Sequence, residues 1–308
     1  MDETLETGTH HFLDRMNLTA RFEQTLDPFL GDHGFEVMPF GQSVLLGENT
    51  WIASRLKRIA MKKSLAALMV KFSPDFIVVK GDPSPLLFFC DVKASITPVF
   101  FGSQIQRIRL HSDQPGLQRS HIGEIEREAW FSYNTFYPSN EVAIVVASPY
   151  STRPVLAEWV SNIRCLWCYS GEKRNGKPVP WDCSKCSVKT KKGFGVVVNE
   201  EAGGSGTPHT NIDFRSMRTL DEFLLQEFNV TVDRDLYEEA VVGFVKQWPL
   251  NKPRGSVTWK QFNNPIRELR EEGCAWLEYR VEEKMFDDYD EFDAYLHEYW
   301  EEHRKSRK

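Results

Sequence analysis

The chain has 308 residues, of which 41% are hydrophobic and 13% aromatic, so it is long enough for a sizeable core and unlike a disordered protein. No run of eighteen apolar residues occurs, and no membrane span or membrane partner is expected. The acidic start, Met-Asp-Glu-Thr-Leu-Glu, lacks a signal pattern and indicates a cytoplasmic location. Because 44 acidic and 38 basic residues give a net charge of −6, a nucleic-acid partner would have to be held by local basic segments.

The first predicted elements are a helix over residues 18–30 and an apolar stretch over residues 35–40. Leu26 and Leu30 recur at helical spacing, and Glu23 lies on the adjoining face. The segment 49–74 that follows has no acidic residue and carries six cations, Arg55, Lys57, Arg58, Lys62, Lys63 and Lys71. These cations either track the phosphates of a nucleic acid or form the solvated face of an amphipathic helix, and both interpretations are open.

Two apolar runs separated by a Gly- and Pro-rich turn, residues 81–85, predict a β-hairpin with charged ends. Asp75 opens the first run, and Asp91 and Lys93 end the second. Residues two apart in a strand share a face, so adjacent strands would bring both carboxylates and the ammonium together. Carboxylate oxygens suit Mg²⁺ or Mn²⁺, and an ammonium can orient water or neutralise charge on phosphorus. The alternative is an ordinary hairpin with polar ends.

The pattern Pro74-Asp75 followed by Asp91-Val92-Lys93 resembles the motif of the PD-(D/E)XK nuclease superfamily. The resemblance covers about residues 17–150, because the flanking elements also come in the family's order. It implies an α/β, restriction-endonuclease-like fold, in which helices flank a mixed central sheet, and metal-dependent hydrolysis of phosphodiester bonds. It also implies a third acid on the first helix, which by position is Glu23, with Glu48 as the competing candidate.

Apolar residues at helical spacing predict a helix over residues 122–136 that covers the sheet. In related nucleases this helix can bring a polar residue near the metal cluster. Glu126 or Tyr133 could do so here, although an exposed position or a core position is the favoured interpretation for each. A continuous apolar run over residues 142–147 is typical of a central buried strand, and residues 153–163 are predicted to form a further helix.

Two C-x2-C pairs are separated by fourteen residues; the four cysteines are Cys165, Cys168, Cys183 and Cys186. This spacing is typical of a structural Zn²⁺ site in a zinc ribbon, with a redox dithiol or two disulfides as alternatives. Cations interleaved with aromatic residues favour nucleic-acid contact by the ribbon; they include Lys173, Arg174 and Lys177. The aromatic residues could equally build a minimal core or dock a protein. Cys90 and Cys274 are predicted to be plain buried thiols.

The remaining chain predicts strands at residues 194–199 and, at an edge, 211–214, then helices through residue 228 and over residues 233–247. Thr219 to Glu222 forms a capping-box pattern for the first of these helices. A mainly aromatic stripe in the acidic C-terminal region, called the aromatic stripe, is predicted to be a packing or partner face; its members are Phe286, Tyr289, Phe292, Tyr295, Leu296, Tyr299 and Trp300. We therefore divide the chain into a nuclease core (1–152), a zinc-ribbon insertion with its flanking helix (153–193), the completion of the core (194–250) and an acidic helical region (251–308).

The leading functional prediction is a Mg²⁺- or Mn²⁺-dependent DNA endonuclease. Asp75 and Asp91 would bind the metal, Lys93 would orient or deprotonate water, and Glu23 would complete the site. The alternatives are a non-catalytic nucleic-acid-binding or protein-interaction module, and a nuclease subunit of a mobile-element or phage-defence complex that acts only with a partner. DNA is the expected substrate, and a homodimer or a partner protein is consistent with the sequence.

Overall fold

The structure is a computed structural model that describes residues 3–41, 69–81, 85–94, 118–137, 140–165, 189–190, 193–194, 209–248, 258–283 and 285–305. It is a mixed α/β protein with helices flanking a six-stranded sheet, as the sequence predicts at this level.

Strands and helices are numbered in chain order within the described residues. The strands are β1 (Phe35–Pro39), β2 (Phe76–Lys80), β3 (Leu86–Ala94), β4 (Ile122–Glu126), β5 (Val142–Ala147), β6 (Val155–Trp159), β7 (Arg164–Cys165), β8 (Lys189–Thr190), β9 (Gly193–Phe194), β10 (His209–Asp213) and β11 (Arg218–Thr219). The helices are α1 (Glu3–Asp32), α2 (Arg127–Phe136), α3 (Leu220–Phe228), α4 (residues 234–246), α5 (Trp259–Glu271), α6 (Ala275–Glu283) and α7 (Tyr289–Lys305).

The six-stranded sheet has the strand order β1-β2-β3-β5-β6-β11. Strands β3 and β5 are parallel, whereas the other four neighbouring pairs are antiparallel. Every residue of β5 is buried, and its side chains alternate between two hydrophobic cores on opposite faces of the sheet. This two-sided burial explains why the β5 sequence is continuously apolar.

Helix α1 covers one face of the sheet and contains the predicted helix of residues 18–30. Phe22, Leu26, Phe29 and Leu30 recur at helical spacing, and all four are buried in one core with α3 and α4. The carboxylate of Glu222 accepts the N–H of Thr219 at 3.0 Å, as the capping-box pattern predicts for the start of α3. The helix predicted over residues 233–247 is α4, which includes a π-helical turn.

The opposite face is covered by α2 and by a second, three-stranded sheet with the order β4-β10-β7. Trp130 and Tyr133 of α2 are buried there against Ile144 and Val146 of β5. Strand β10 is the central strand of this sheet, so the edge position predicted for residues 211–214 is wrong.

Helices α5, α6 and α7 form a third core around Trp276 and Leu277. In the aromatic stripe, Phe292, Leu296 and Trp300 are buried in this core. The stripe is therefore a packing face, which is one of the two roles that the sequence indicated.

The helix predicted over residues 122–136 is present only from Arg127, and the helix predicted over residues 153–163 is wrong, because strand pairing overrides local periodicity. Residues 122–126 form β4, which pairs with β10 more than eighty residues later, and the helix begins only at Arg127. Residues 153–163 contain β6, which pairs with β5 and is buried at all five positions. Inside this strand, the carboxylate of Glu158 accepts two hydrogen bonds from the guanidinium of Arg218, at 2.7 and 2.6 Å, which makes its burial tolerable.

Gly123 permits β4 to approach the 3₁₀ turn that follows β10. A Cβ atom at this position would overlap the buried Phe214 ring, with the farthest of three close ring carbons at 2.9 Å. Gly123→Ala should therefore lower the free energy of unfolding by about 1–3 kcal/mol, the usual cost of overpacking. Gly31→Ala is the matched control, because a Cβ atom there meets no heavy atom within 4 Å. Urea denaturation of the parent and both variants measures the free energies of unfolding. If Gly123→Ala is as stable as Gly31→Ala, the Phe214 ring can move aside.

No helix in the described ranges is long and apolar enough to cross a bilayer. The strand predicted at residues 194–199 is described only at its start, where Phe194 belongs to β9. The rest of that prediction, and most of the proposed zinc-ribbon insertion, lie outside the described residues.

Candidate functional site

The predicted hairpin is present, and its register explains how Asp75 meets Asp91. Strands β2 and β3 are antiparallel with Phe76 opposite Cys90, so the same register continued by one residue places Asp75 opposite Asp91. Asp75 is tied to both neighbouring strands. Its carbonyl oxygen accepts the N–H groups of Phe40 and Gly41, at 2.8 and 3.1 Å. Its Oδ2 atom accepts the N–H of Val92 at 2.8 Å.

Asp91 lies in the middle of the sheet, where β3 pairs with β5, and only 1% of it is exposed. The hydroxyl of Tyr133 donates a hydrogen bond to its Oδ1 atom at 2.7 Å. Its Oδ2 atom is 2.7 Å from Nζ of Lys93 and accepts no hydrogen bond from any other described group. One oxygen of this buried carboxylate is thus fixed by a hydroxyl, and the other faces the ammonium of Lys93, which also donates to the carbonyl oxygen of Val92 at 3.3 Å.

Lys93 extends from the same face of β3 as Asp91 and is 30% exposed. Its Nζ atom is also 4.0 Å from Oδ2 of Asp75. The three residues of the predicted motif are therefore brought together, with the ammonium between two carboxylates. A positive charge is already stabilised at the position where the sequence predicts a metal cation.

Glu23 reaches the same region from α1, where the buried neighbours Phe22 and Leu26 fix the helix against the sheet. Burial and the negative charge of Asp75 raise the pKa of Glu23 to about 7, although the charge of Lys93 opposes the shift. Glu23 thus belongs to the electrostatic environment of the cluster. A pKa near 7 would also let this carboxyl exchange a proton at neutral pH.

The pKa of Asp91 is likewise raised to about 7. Burial is the main cause; Lys93 lowers the pKa, and Asp75 raises it. The ion pair with Lys93 therefore does not compensate for removing this carboxylate from water. Two carboxyls with raised pKa values lie beside a third carboxyl, so an added cation would offset the cost of their negative charges. Groups with such perturbed pKa values are enriched at functional sites.

The donor set fits a magnesium-type ion held by two carboxylates. Within the described ranges, no group of three or more His, Cys, Asp or Glu residues is close enough to hold a metal, so Glu23 does not complete such a group with Asp75 and Asp91. Mg²⁺ is commonly bound through one or two carboxylates, with water and phosphate oxygens filling the remaining positions. The buried Oδ2 atom of Asp91 is a hard oxygen of the type this ion prefers.

Tyr133 is one of the two residues that the sequence offers as a polar group near the cluster, with a core or exposed position as the favoured interpretation. A core position was favoured for it, and it is indeed buried, but its hydroxyl also bonds Asp91. The sequence signal for this contact is a tyrosine at an inward-facing position of a helix, because a buried hydroxyl needs a polar partner. Glu126, the other candidate, ends β4 and is not on the helix.

Several predicted site residues lie outside the described residues. They are the alternative acid Glu48, the cysteines Cys168, Cys183 and Cys186, and the predicted nucleic-acid contacts Lys62, Lys63, Lys173, Arg174 and Lys177. Cys165 is described and ends β7, where it pairs with Ile212 of β10. Cys90 and Cys274 are buried free thiols, as predicted, and burial raises the pKa of each.

Comparison with known proteins gives no family model that matches the chain, and no curated protein or solved structure with significant similarity to it. The functional argument therefore depends on the geometry of the cluster itself.

Proposed function

We propose that the protein is a divalent-metal-dependent DNA endonuclease of the PD-(D/E)XK type. The observation that carries this proposal is the grouping of Asp75, Asp91 and Lys93, in which one ammonium lies within 4.0 Å of both carboxylates. Phosphodiester hydrolysis needs ligands for a cation and a group that acts on the attacking water. This cluster supplies both types of group on two adjacent strands.

Asp75 and Asp91 would hold the cation through carboxylate oxygens. The bound cation supplies charge neutralisation at the phosphate and a lowered pKa for water. With the cation at Asp91, the ammonium of Lys93 would orient the attacking water or balance charge that develops on the phosphate oxygens, since its side chain is partly exposed beside both carboxylates. Glu23, with a pKa near 7, is suited to accept the released proton directly or through water.

The restriction-endonuclease-like fold is part of the same proposal. A helix that precedes the hairpin, a parallel β3–β5 pair and the intervening α2 agree with the order of elements that the motif resemblance implies. DNA as the substrate follows from that resemblance, with Lys62, Lys63, Lys173, Arg174 and Lys177 as the proposed phosphate contacts. The four cysteines would hold a structural zinc ion that folds the ribbon.

A cleavage assay tests the proposed reaction. Purified protein with Mg²⁺ or Mn²⁺ should cut at least one substrate in a panel of supercoiled, linear duplex, single-stranded and branched DNA. Asp91→Ala should reduce the rate by at least about 10²-fold because it removes a buried metal ligand. Zinc content, measured by elemental analysis, should remain about one ion per chain in both proteins.

Glu36→Gln provides the matched control, since Glu36 is an exposed acid on the edge strand β1. This variant should cut at the parental rate. If Asp91→Ala cuts as fast as the parent, the assignment of the site is wrong. If the parent binds DNA but cuts no substrate with any divalent metal, the non-catalytic module becomes the better explanation.

A further inference from the structure

The two carboxylates of the cluster are held in the same way. In Asp91, Oδ1 accepts the hydroxyl of Tyr133 at 2.7 Å. In Asp75, Oδ2 accepts the N–H of Val92 at 2.8 Å. Each carboxylate thus has one oxygen bonded to a donor of the protein. The other oxygen of Asp91 meets the ammonium of Lys93 at 2.7 Å, and a bound cation would take the place of that ammonium.

The Tyr133 bond is rigid because both of its partners are buried. Tyr133 is 3% exposed and packs in the core between α2 and β5, and Asp91 is 1% exposed on the central strand β3. The hydroxyl of Tyr133 therefore meets Oδ1 of Asp91 where neither side chain has room to move.

We propose, on the basis of the proposed metal-dependent function, that Tyr133 is a positioning residue that restricts Asp91 to monodentate coordination and so selects small octahedral cations over Ca²⁺. Mg²⁺ and Mn²⁺ are satisfied by single carboxylate oxygens and water in an octahedron. Ca²⁺ takes six to eight oxygens and often uses both oxygens of a carboxylate. A bidentate Asp91 would have to share Oδ1 between the cation and the hydroxyl of Tyr133, and the charge-assisted hydrogen bond makes this oxygen the weaker ligand.

Tyr133 could instead be a purely structural residue, whose hydroxyl only satisfies a buried carboxylate. The two roles differ in what the loss of the hydroxyl does to metal preference. A structural role predicts that Tyr133→Phe lowers stability and weakens the binding of all divalent ions by the same factor. A positioning role predicts that Tyr133→Phe weakens the binding of Mn²⁺ and leaves the binding of Ca²⁺ unchanged or tighter, because Oδ1 becomes a stronger second ligand.

The experiment measures metal binding to the full chain without DNA. The EPR signal of free Mn²⁺ reports Mn²⁺ binding, and displacement by added Ca²⁺ reports the competing affinity. The difference between the parent and Asp91→Ala defines binding at this site and removes any contribution from the cysteine region. Tyr137→Phe is the control, because it removes a hydroxyl one helical turn away that makes no described hydrogen bond to Asp91.

In the parent, we expect Ca²⁺ to bind the site about tenfold or more weakly than Mn²⁺. In Tyr133→Phe, the ratio of the Ca²⁺ to the Mn²⁺ dissociation constant should fall by about 10- to 100-fold, the usual effect of losing a partner of a metal ligand. Tyr137→Phe should leave the ratio unchanged.

Two results would overturn the role of Tyr133: an unchanged ratio in a folded Tyr133→Phe variant, or a parent site that binds Ca²⁺ as tightly as Mn²⁺. The comparison of Ca²⁺ and Mn²⁺ binding in the parent can be made even if Tyr133→Phe does not fold. A parent that shows no Mn²⁺ binding dependent on Asp91 would refute the underlying metal site as well, so the failure of the proposed function is distinguishable from failure of this inference.

Discussion

Lys93→Met should abolish DNA cleavage and yet leave Mn²⁺ binding as tight as in the parent, or tighter. The ammonium of Lys93 lies 2.7 Å from Oδ2 of Asp91, which is the oxygen that the protein leaves for a cation. Lysine and metal therefore compete for this atom in the resting site. Methionine keeps a long apolar side chain without the charge, so the competition ends but the group that acts on water is lost.

The expected loss in the cleavage rate is about 10²- to 10³-fold, the usual cost of removing a group that stabilises charge in the transition state. Asp91→Ala is the contrasting variant, because it should lose both cleavage and Mn²⁺ binding at the site. Single-turnover cleavage and the EPR measurement of free Mn²⁺ separate the two effects. Cleavage within about tenfold of the parental rate in Lys93→Met would remove this lysine from the mechanism. Weaker Mn²⁺ binding would mean that Lys93 supports the metal site instead of competing with it.

The central hairpin was predictable because local rules determine it. Period-two patterning, a turn rich in Gly and Pro and the two-residue spacing of Asp91 and Lys93 all act within a short segment. The antiparallel register then fixes where Asp75 lies. The approach of Glu23 also follows from a local pattern, since Phe22 and Leu26 give α1 a buried stripe that orients the helix.

The strands β4 and β6 could not be predicted in this way, because each is fixed by hydrogen bonds to a strand outside its own segment. Strand β4 pairs with β10, and β6 pairs with β5. The residues of β4 have helical spacing when read alone, but pairing with β10 and the close packing of Gly123 on Phe214 favour a strand. The bond between Tyr133 and Asp91 joins residues 42 positions apart. No spacing rule encodes such a contact, which depends on the parallel β3–β5 pair placing α2 over the face of β3 that carries Asp91.

Burial makes the negative charge of Asp91 costly without a cation, so this charge should destabilise the metal-free protein. Asp91→Asn is expected to raise the free energy of unfolding above pH 7, even though it removes a proposed metal ligand. Asparagine has nearly the shape of aspartate and can still accept the hydroxyl of Tyr133, but it carries no charge into the core. One pKa unit corresponds to about 1.4 kcal/mol, and Lys93 loses its ion pair, so a gain of about 1–3 kcal/mol is expected.

The pH dependence has a definite sign because the folded-state pKa of Asp91 is raised from 3.8 to about 7. Between these pH values the folded protein holds the proton more tightly than the unfolded chain, so the parent loses stability as the pH rises through that window. Above pH 7 the full cost of the charge is present, and below about pH 4 it is absent. The stability gain of Asp91→Asn should therefore be about a third of its full value at pH 5 and reach its maximum near pH 8.

Urea denaturation at pH 5 and pH 8, without added divalent metal, measures this difference. Asp27→Asn on the exposed face of α1 is the control, because a solvated carboxylate should contribute little at either pH. Added Mn²⁺ should then stabilise the parent and not Asp91→Asn, since only the parent retains the charged ligand that the cation neutralises. If Asp91→Asn is less stable than the parent at pH 8, the ion pair with Lys93 outweighs the cost of burial, and the site does not need a cation to balance its charge.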